Sequence, residues 1–296
     1  MDACLAIDVG GTKLAAGLVT EDGALHRAGR VPTPATTDPE ELFAALAGLL
    51  DDVLGAGADA EQLSAVVCGV GCGGPMDVAA GTVSPLNIPA WRGFPLVARL
   101  AEYTGLVVTM DNDAKALALA EGWTGAARGR PDYIAMVVST GVGGGIVLRG
   151  RLVDGVSGNA GHIGHVIVEP DGRACGCGGR GCLEAEASGL AIAAVTGRPP
   201  VEATADVVAR AGRLVGRAVA SAAALLDITL AVVGGSVALG FGTPFFTAAN
   251  EELAVRARLS FLAGATIVPV GLGEAGPLVG AGAVGWRRPS SPEASW

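Results

Sequence analysis

Residues 5–19, LAIDVGGTKLAAGLV, form a short apolar run carrying one carboxylate, then a glycine turn, then a second apolar run. The alternation of runs and turn residues reads as a β-hairpin. An unpaired carboxylate at the exit of a buried strand is costly. A cation or a phosphate-bound Mg2+ beside Asp8 would offset that cost. Gly10 and Gly11 let backbone N–H groups approach a phosphate, and Thr12 and Lys13 can add donors. Alone, one such turn is a weak signal and reads first as a plain hairpin. The device recurs, however. Residues 133–139 are an apolar strand that runs into Thr140-Gly141-Val142-Gly143-Gly144-Gly145 and on into Ile146-Val147-Leu148. A phosphate-cradling unit repeated in two halves predicts two related α/β domains facing across a cleft, each holding part of one phosphate chain.

Composition agrees. The 296 residues are 50% hydrophobic, with 47 glycines and only 4% aromatics, a profile that suits many tight strand-to-helix turns. A net charge of -9 with no basic run argues against a nucleic-acid surface. With Asp2 and Asp8 in the opening residues, no signal peptide is expected. The longest uncharged span, 228–250, is broken by glycines with Ser236, Thr243 and Pro244, so it reads as a buried strand plus a loop rather than a membrane helix. A soluble cytoplasmic protein with reduced cysteines and no membrane partner is expected.

Between the two glycine turns, Asp38-Pro39-Glu40-Glu41 has helix-start chemistry before an amphipathic helix. Residues 65–70 read as a buried strand that ends in the irregular Gly71-Cys72-Gly73-Gly74-Pro75, with a short helix over 94–105 and a strand over 107–110. Asp111-Asn112-Asp113 then falls between strand and helix, where α/β proteins bind ligands. A helix cap needs one such residue, and this stretch has three. Further on, helices are expected over 205–226, 251–262 and from 278 to 285, and strands over 230–233 and 266–270. A third glycine turn, Gly234-Gly235-Ser236, follows the strand at 230 and fits a base or ribose pocket. Residues 287–296 are not assigned structure.

Residues 155–184, GVSGNAGHIGHVIVEPDGRACGCGGRGCLE, gather two of the three histidines and three of the six cysteines. The economical reading is one tetrahedral zinc held by His165, Cys175, Cys177 and Cys182. Buried free thiols, a disulfide or a redox pair are the alternatives.

Taken together, these stretches resemble the ROK family (repressor, open reading frame, kinase). The matching residues are 8–13, Asn112-Asp113, 139–145, 158–165, 175–184 and 232–236, in the family's order across nearly the whole chain. The resemblance implies the two-domain actin-like ATPase fold, ribonuclease H-like, with a central cleft. It places one domain at 1–112, completed by a C-terminal helix at 276–288, a larger one with the zinc loop at 113–275, and a flexible tail at 289–296. It also implies a kinase that phosphorylates the 6-hydroxyl of a hexose using ATP and Mg2+, with zinc as a structural ion and a homodimer or homotetramer as the assembly.

Under that resemblance Asp113 is the general base. Asp8 orients Mg2+ through its water shell, and Gly10, Gly11, Thr12, Lys13, Thr140, Gly141, Gly143 and Gly144 cradle the ATP phosphates. Gly234 and Gly235 sit by the adenosine. Sugar hydroxyls meet Asn112, Asp113, Gly141, His162, His165 and Glu184, with Gly74 and Asn87 as further contacts. His165 bonds the sugar through one ring nitrogen and zinc through the other, so the metal braces the pocket. Many family glucokinases carry a glutamate where this chain has His162. The run GHIGH resembles bacterial N-acetylmannosamine kinases, which share AIDxGGTKLAA and STGVGGG with this chain. Because glucokinase is the commonest activity of the family, glucose is the first expectation and N-acetylmannosamine (or N-acetylglucosamine) the second. A family repressor would carry a helix-turn-helix domain before the first strand and often lacks the catalytic aspartate. A zinc-ribbon binding module would need more basic residues than Arg173 and Arg180 around the metal.

Overall fold

The computed structural model describes residues 1–55 and 63–287. The chain divides into two compact units, one of residues 1–124 and 274–287, the other of residues 125–273.

The first unit opens with the strands β1 (Asp2–Val9), β2 (Lys13–Thr20) and β3 (Leu25–Pro32), followed by helix α1 (Pro39–Gly55). Asp38 Oδ1 accepts the Glu40 N–H at 2.9 Å, the capping expected from the sequence. Next come β4 (Ser64–Cys72), the two-residue strands β5 (Met76–Asp77) and β6 (Thr82–Val83), helix α2 (Leu96–Thr104), β7 (Val108–Asn112) and α3 (Asp113–Trp123). The 5-stranded sheet runs β3-β2-β1-β4-β7. Its first three strands are antiparallel, and β4 and β7 run parallel to β1. β1 is buried on both faces, which explains why its sequence is continuously apolar up to Asp8. Leu5, Ile7, Leu14, Leu42, Leu46 and Trp91 lie at the centre of the core on one face.

The second unit repeats the plan. It holds β8 (Tyr133–Val138), β9 (Val142–Leu148), β10 (Arg151–Leu152), the helices α4 (Leu183–Ala187), α5 (Gly189–Thr196) and α6 (Ala205–Leu226), then β11 (Leu230–Gly234), α7 (Ser236–Phe241), α8 (Thr243–Arg256) and β12 (Thr266–Pro269). Its sheet runs β10-β9-β8-β11-β12, again antiparallel on one side and parallel on the other. α6 and α8 pack on this sheet around Phe245, Val215 and Val233.

The last helix, α9 (Gly276–Trp286), returns to the first unit and lies on β1 and β4. The contact is close because both sides lack side chains. A Cβ on Gly69 of β4 would overlap the Ala281 carbonyl oxygen, and Gly285 packs against Gly69 and Cys4. α3 packs on the same helix, so the first unit runs on through α3 to 124, where the sequence reading ended it at 112.

Three local readings are corrected. β3 was not anticipated: it is an edge strand, mostly half-exposed and carrying charges, so it lacks an apolar pattern. The segment 236–250, read as loop, holds α7 and the start of α8. Gly242 caps the second of these and Pro244 sits in its first turn, which is a helix start that resembles a break. α8 ends at Arg256, and only a 3-10 turn, Ser260–Leu262, follows where the helix was expected to continue. The tail assigned to 289–296 and the final residue of the helix expected at 276–288 lie outside the described residues.

Candidate active site

In the first unit the chemistry gathers where β1, β4 and β7 end. Asp8 lies next to the end of β1 and pairs with Gly71 of β4. The run Gly71 to Gly74 leaves that edge almost bare. A Cβ on Gly71 would stand 3.9 Å from Asp8 Oδ1 and from Asp113 Cα, and one on Gly73 would stand 3.9 Å from Asp113 Oδ2. The two carboxylates therefore share a shallow space floored by backbone. Burial raises Asp8 from its usual range to about 7; the charge of Asp113 adds to the rise and Lys13 opposes it. Burial, reinforced by Asp113 and Asp8, also pushes the Cys72 thiol well above its ordinary value.

The triplet at the start of α3 divides its labour. Asp111 takes the Asn112 N–H at 2.8 Å and forms a 3.0 Å ion pair with buried Lys115, so its charge is spent on structure. Asn112 is the helix cap, its Oδ1 accepting the Ala114 N–H at 3.0 Å. Asn112 Nδ2 lies 3.8 Å from where a Cβ on Gly74 would sit. Asp113 is exposed and accepts the Ala114 N–H at 2.8 Å, in the positive field of the helix start. A carboxylate so placed can accept a proton from a bound hydroxyl.

The first glycine turn is closed by a 3.0 Å bond from Gly10 N–H to the Lys13 carbonyl. Thr33 clips it from outside, with Oγ1 donating to Gly10 O at 2.7 Å and N–H to Thr12 O at 3.1 Å. Asn87 lies directly over Gly11, where a Cβ would come within 2.7 Å of the Asn87 Cβ. Gly11, Thr12 and Lys13 are exposed.

In the second unit the other two glycine turns meet. Ser139 and Ser236 share a hydrogen bond of 2.8 Å between their hydroxyls. Gly235 has a φ of +95° and caps α7, and a Cβ there would overlap the Val138 carbonyl; only glycine fits. Gly234 closes β11 against Val270. Thr140 and Gly141 form the turn itself, whereas Gly143 and Gly144 already lie in the β8–β9 ladder. Gly144 packs under Gly161 and Ile163 of the histidine loop. Glu184 reaches the turn, its Oε2 accepting the Val142 N–H at 2.9 Å and standing 2.8 Å from the position of a Cβ on Gly141.

His165, Cys175, Cys177 and Cys182 converge, their ligand atoms all within 4.8 Å of one another. The Cys177 and Cys182 sulfurs are 3.7 Å apart, and Cys175 Sγ is 3.7 Å from His165 Nδ1. Zinc–sulfur bonds of about 2.3 Å make a tetrahedral edge of about 3.8 Å, so the donor set fits a zinc ion. All three cysteines are free of disulfides. Burial pushes Cys182 up to about 12, a cost to a thiolate that a bound cation would cancel. Beneath the loop, buried Glu186 accepts the Arg173 N–H at 2.6 Å and pairs with Arg210 at 2.7 Å. His162 is exposed, its ring centroid 6.0 Å from that of His165 at an interplanar angle of 25°.

The sequence profile of the ROK family matches residues 4–285. The chain belongs to the ROK family. It is 39% identical over 253 residues to an N-acetylmannosamine kinase of Escherichia fergusonii, covering 80% of this chain and 84% of that protein. Among solved structures, a ROK hexokinase from Thermus thermophilus is 34% identical with a TM-score of 0.82, covering 96% of this chain and 98% of the other. A ROK glucokinase from Streptomyces griseus, in complex with glucose and AMPPNP, is 29% identical with a TM-score of 0.81, covering 97% and 100%. The fold is the actin-like ATPase fold of ROK sugar kinases, and each of its two sheets carries the strand order described above.

Two residues of this ROK chain escaped the sequence reading. Thr33, which clips the first turn, follows the edge strand β3 that had no pattern to announce it. Glu186 read as one more acid on a short helix, and its burial follows only from the arginines brought to it from residues 173 and 210.

Proposed function

We propose that this protein transfers the γ-phosphoryl group of ATP to the 6-hydroxyl of N-acetylmannosamine. It is a sugar kinase of the ROK family, a phosphotransferase. The sugar itself rests on one observation above others: the 39% identity to the Escherichia fergusonii N-acetylmannosamine kinase. His162 supports it, because an imidazole can donate a hydrogen bond where an acceptor carboxylate cannot. The first expectation, glucose, becomes the second reading, supported by the likeness to the Streptomyces griseus glucokinase.

In this mechanism Asp113 accepts the proton of the 6-hydroxyl as its oxygen bonds to the γ-phosphorus and ADP departs. Asn112, His165, Glu184 and His162 orient the sugar, with Gly74, Asn87 and Gly141 along its edge. The turn from Gly10 to Lys13, exposed at Gly11, Thr12 and Lys13, and the turn at Thr140 cradle the phosphates, and Gly234 and Gly235 lie beside the adenosine. Mg2+ would neutralise charge on the transferring group, and Asp8 is the carboxylate that would help hold it. Zinc held by His165, Cys175, Cys177 and Cys182 stiffens the histidine loop. The Nδ1 of His165 faces Cys175, which leaves Nε2 for a sugar hydroxyl.

The deciding experiment is a coupled ADP-release assay across N-acetylmannosamine, N-acetylglucosamine, mannose, glucosamine and glucose. The highest kcat/KM is expected for N-acetylmannosamine. A higher value for glucose transfers the assignment to the second reading, and no turnover of any hexose refutes the kinase.

A further inference from the structure

The metal loop and the second glycine turn are joined by a short piece of chain that bonds to both. Cys182 is the residue immediately before α4. Glu184, in the first turn of α4, gives its Oε2 to the Val142 N–H at 2.9 Å. Ser188 caps α5 by accepting the Ala191 N–H at 3.1 Å. The first amides of α5 then return to the turn: Gly189 N–H donates to Ser139 O at 2.7 Å and Leu190 N–H to Thr140 O at 3.3 Å. Within the turn, Ser139 N–H donates to Gly141 O at 2.9 Å.

These bonds occupy the amides of Ser139 and Val142 and the carbonyls of Ser139, Thr140 and Gly141. The Thr140 and Gly141 N–H groups take no protein acceptor among the described residues. They are the donors this turn can offer an anion. Their direction depends on the peptide planes on either side, and Glu184 fixes the plane that follows Gly141. A hydrogen bond to a charged acceptor is stronger than a neutral one, so the carboxylate is an effective anchor.

We propose that Glu184 is a positioning residue for nucleotide binding: delivered by α4 from the metal loop, it locks the Val142 amide and thereby aims the Thr140 and Gly141 N–H groups at a phosphate. The inference rests on the reading that this turn holds ATP. It gives Glu184 a task apart from any contact with sugar, and it routes the rigidity of the metal loop to the nucleotide.

The test measures the Kd of AMPPNP with Mg2+ and no sugar, by calorimetry on the zinc-loaded protein. Zinc content and melting temperature serve as the check on folding. Glu184→Ala removes the anchor and is expected to weaken nucleotide binding roughly tenfold, the value of a hydrogen bond to a charged group. Glu184→Gln keeps an acceptor oxygen and is expected to stay within about twofold of the wild type, although its sugar Kd rises. Gly141→Ala places a methyl 2.8 Å from Glu184 Oε2 and should dislodge the carboxylate. Because Gly141→Ala and Glu184→Ala break the same contact, the double variant should be no weaker than the weaker single.

An unchanged nucleotide Kd in folded Glu184→Ala overturns the proposal while leaving the kinase reading intact. Full additivity of the two substitutions does the same. If Glu184→Ala loses its metal or its fold, Gly141→Ala decides alone, and a nucleotide Kd like that of the wild type overturns the proposal. A wild-type protein that binds no AMPPNP removes the reading of the turn and the proposal with it.

Discussion

Replacing Asp8 with Asn should stabilise the first unit, and the gain should grow with pH. The folded-state carboxyl sits at about 7 against an ordinary value of 3.8, raised by burial and then by Asp113. A group whose folded pKa is raised leaves the folded state without penalty below the unfolded value. Stability is lost as pH rises from about 4 to about 7, because the unfolded chain releases the proton first. About three pKa units at 1.36 kcal/mol each put the full cost near 4 kcal/mol above pH 8, and about 2 kcal/mol at pH 5.5. Asn is nearly isosteric with the neutral acid and escapes this cost at every pH. The assay is guanidinium unfolding at pH 5.5 and pH 8, without Mg2+ or nucleotide, read by tryptophan fluorescence. Trp91, Trp123 and Trp286 all belong to the first unit and residues 125–273 contain no tryptophan, so the signal reports that unit. Asp8→Asn should gain more at pH 8 than at pH 5.5. An equal gain at both values, or a loss at pH 8, would refute the account of Asp8 as a buried, charge-repelled carboxylate.

Asp113→Asn should fold normally and lose kcat by about 10²–10⁴-fold if this residue accepts the hydroxyl proton, and near-wild-type turnover would remove it from that role. Gly69→Ala should destabilise the first unit by about 3 kcal/mol or more, seen in the same fluorescence transition, because the methyl has only the Ala281 carbonyl to occupy. Elemental analysis should find about one zinc per chain, and Cys182→Ser should lower that content and the melting temperature together. His162→Glu should shift kcat/KM from N-acetylmannosamine towards glucose, and an identical substrate profile would show that His162 does not set the preference.

The parts of this fold that could be read in the sequence are those where one residue type answers a local demand. β1 is buried on both faces, so its run of apolar residues is unbroken, and a lone Asp8 stands out against it. α6 matches its expected bounds, Ala205–Leu226, because one apolar face repeats for six turns. The four metal-ligand candidates fall within eighteen residues of sequence, close enough to be seen as a cluster. What escaped depends on distant partners. Glu184 and Val142 are 42 residues apart, and nothing near either announces the bond. The opposition of Asp8 and Asp113 requires β4 to bring a glycine edge between them. β3 is held by one neighbour and by charge on its outer face, so it has no period to detect.

α9 also sets an order of events for the growing chain. The second unit is one uninterrupted stretch, Gly125–Gly273, and can close as soon as that stretch has been made. The first unit cannot. Until residues 276–286 arrive, Ala6, Ala15 and Val19 lack Leu278 and Ala281 of the helix that packs on them, and only Leu25 and Trp123 lie against that face. The N-terminal half is therefore expected to complete its fold last, with one face of its sheet incompletely covered until then. A fragment ending at 273 should yield a folded second unit joined to a first unit prone to aggregate, and a separate peptide carrying α9 is the piece that would rescue it.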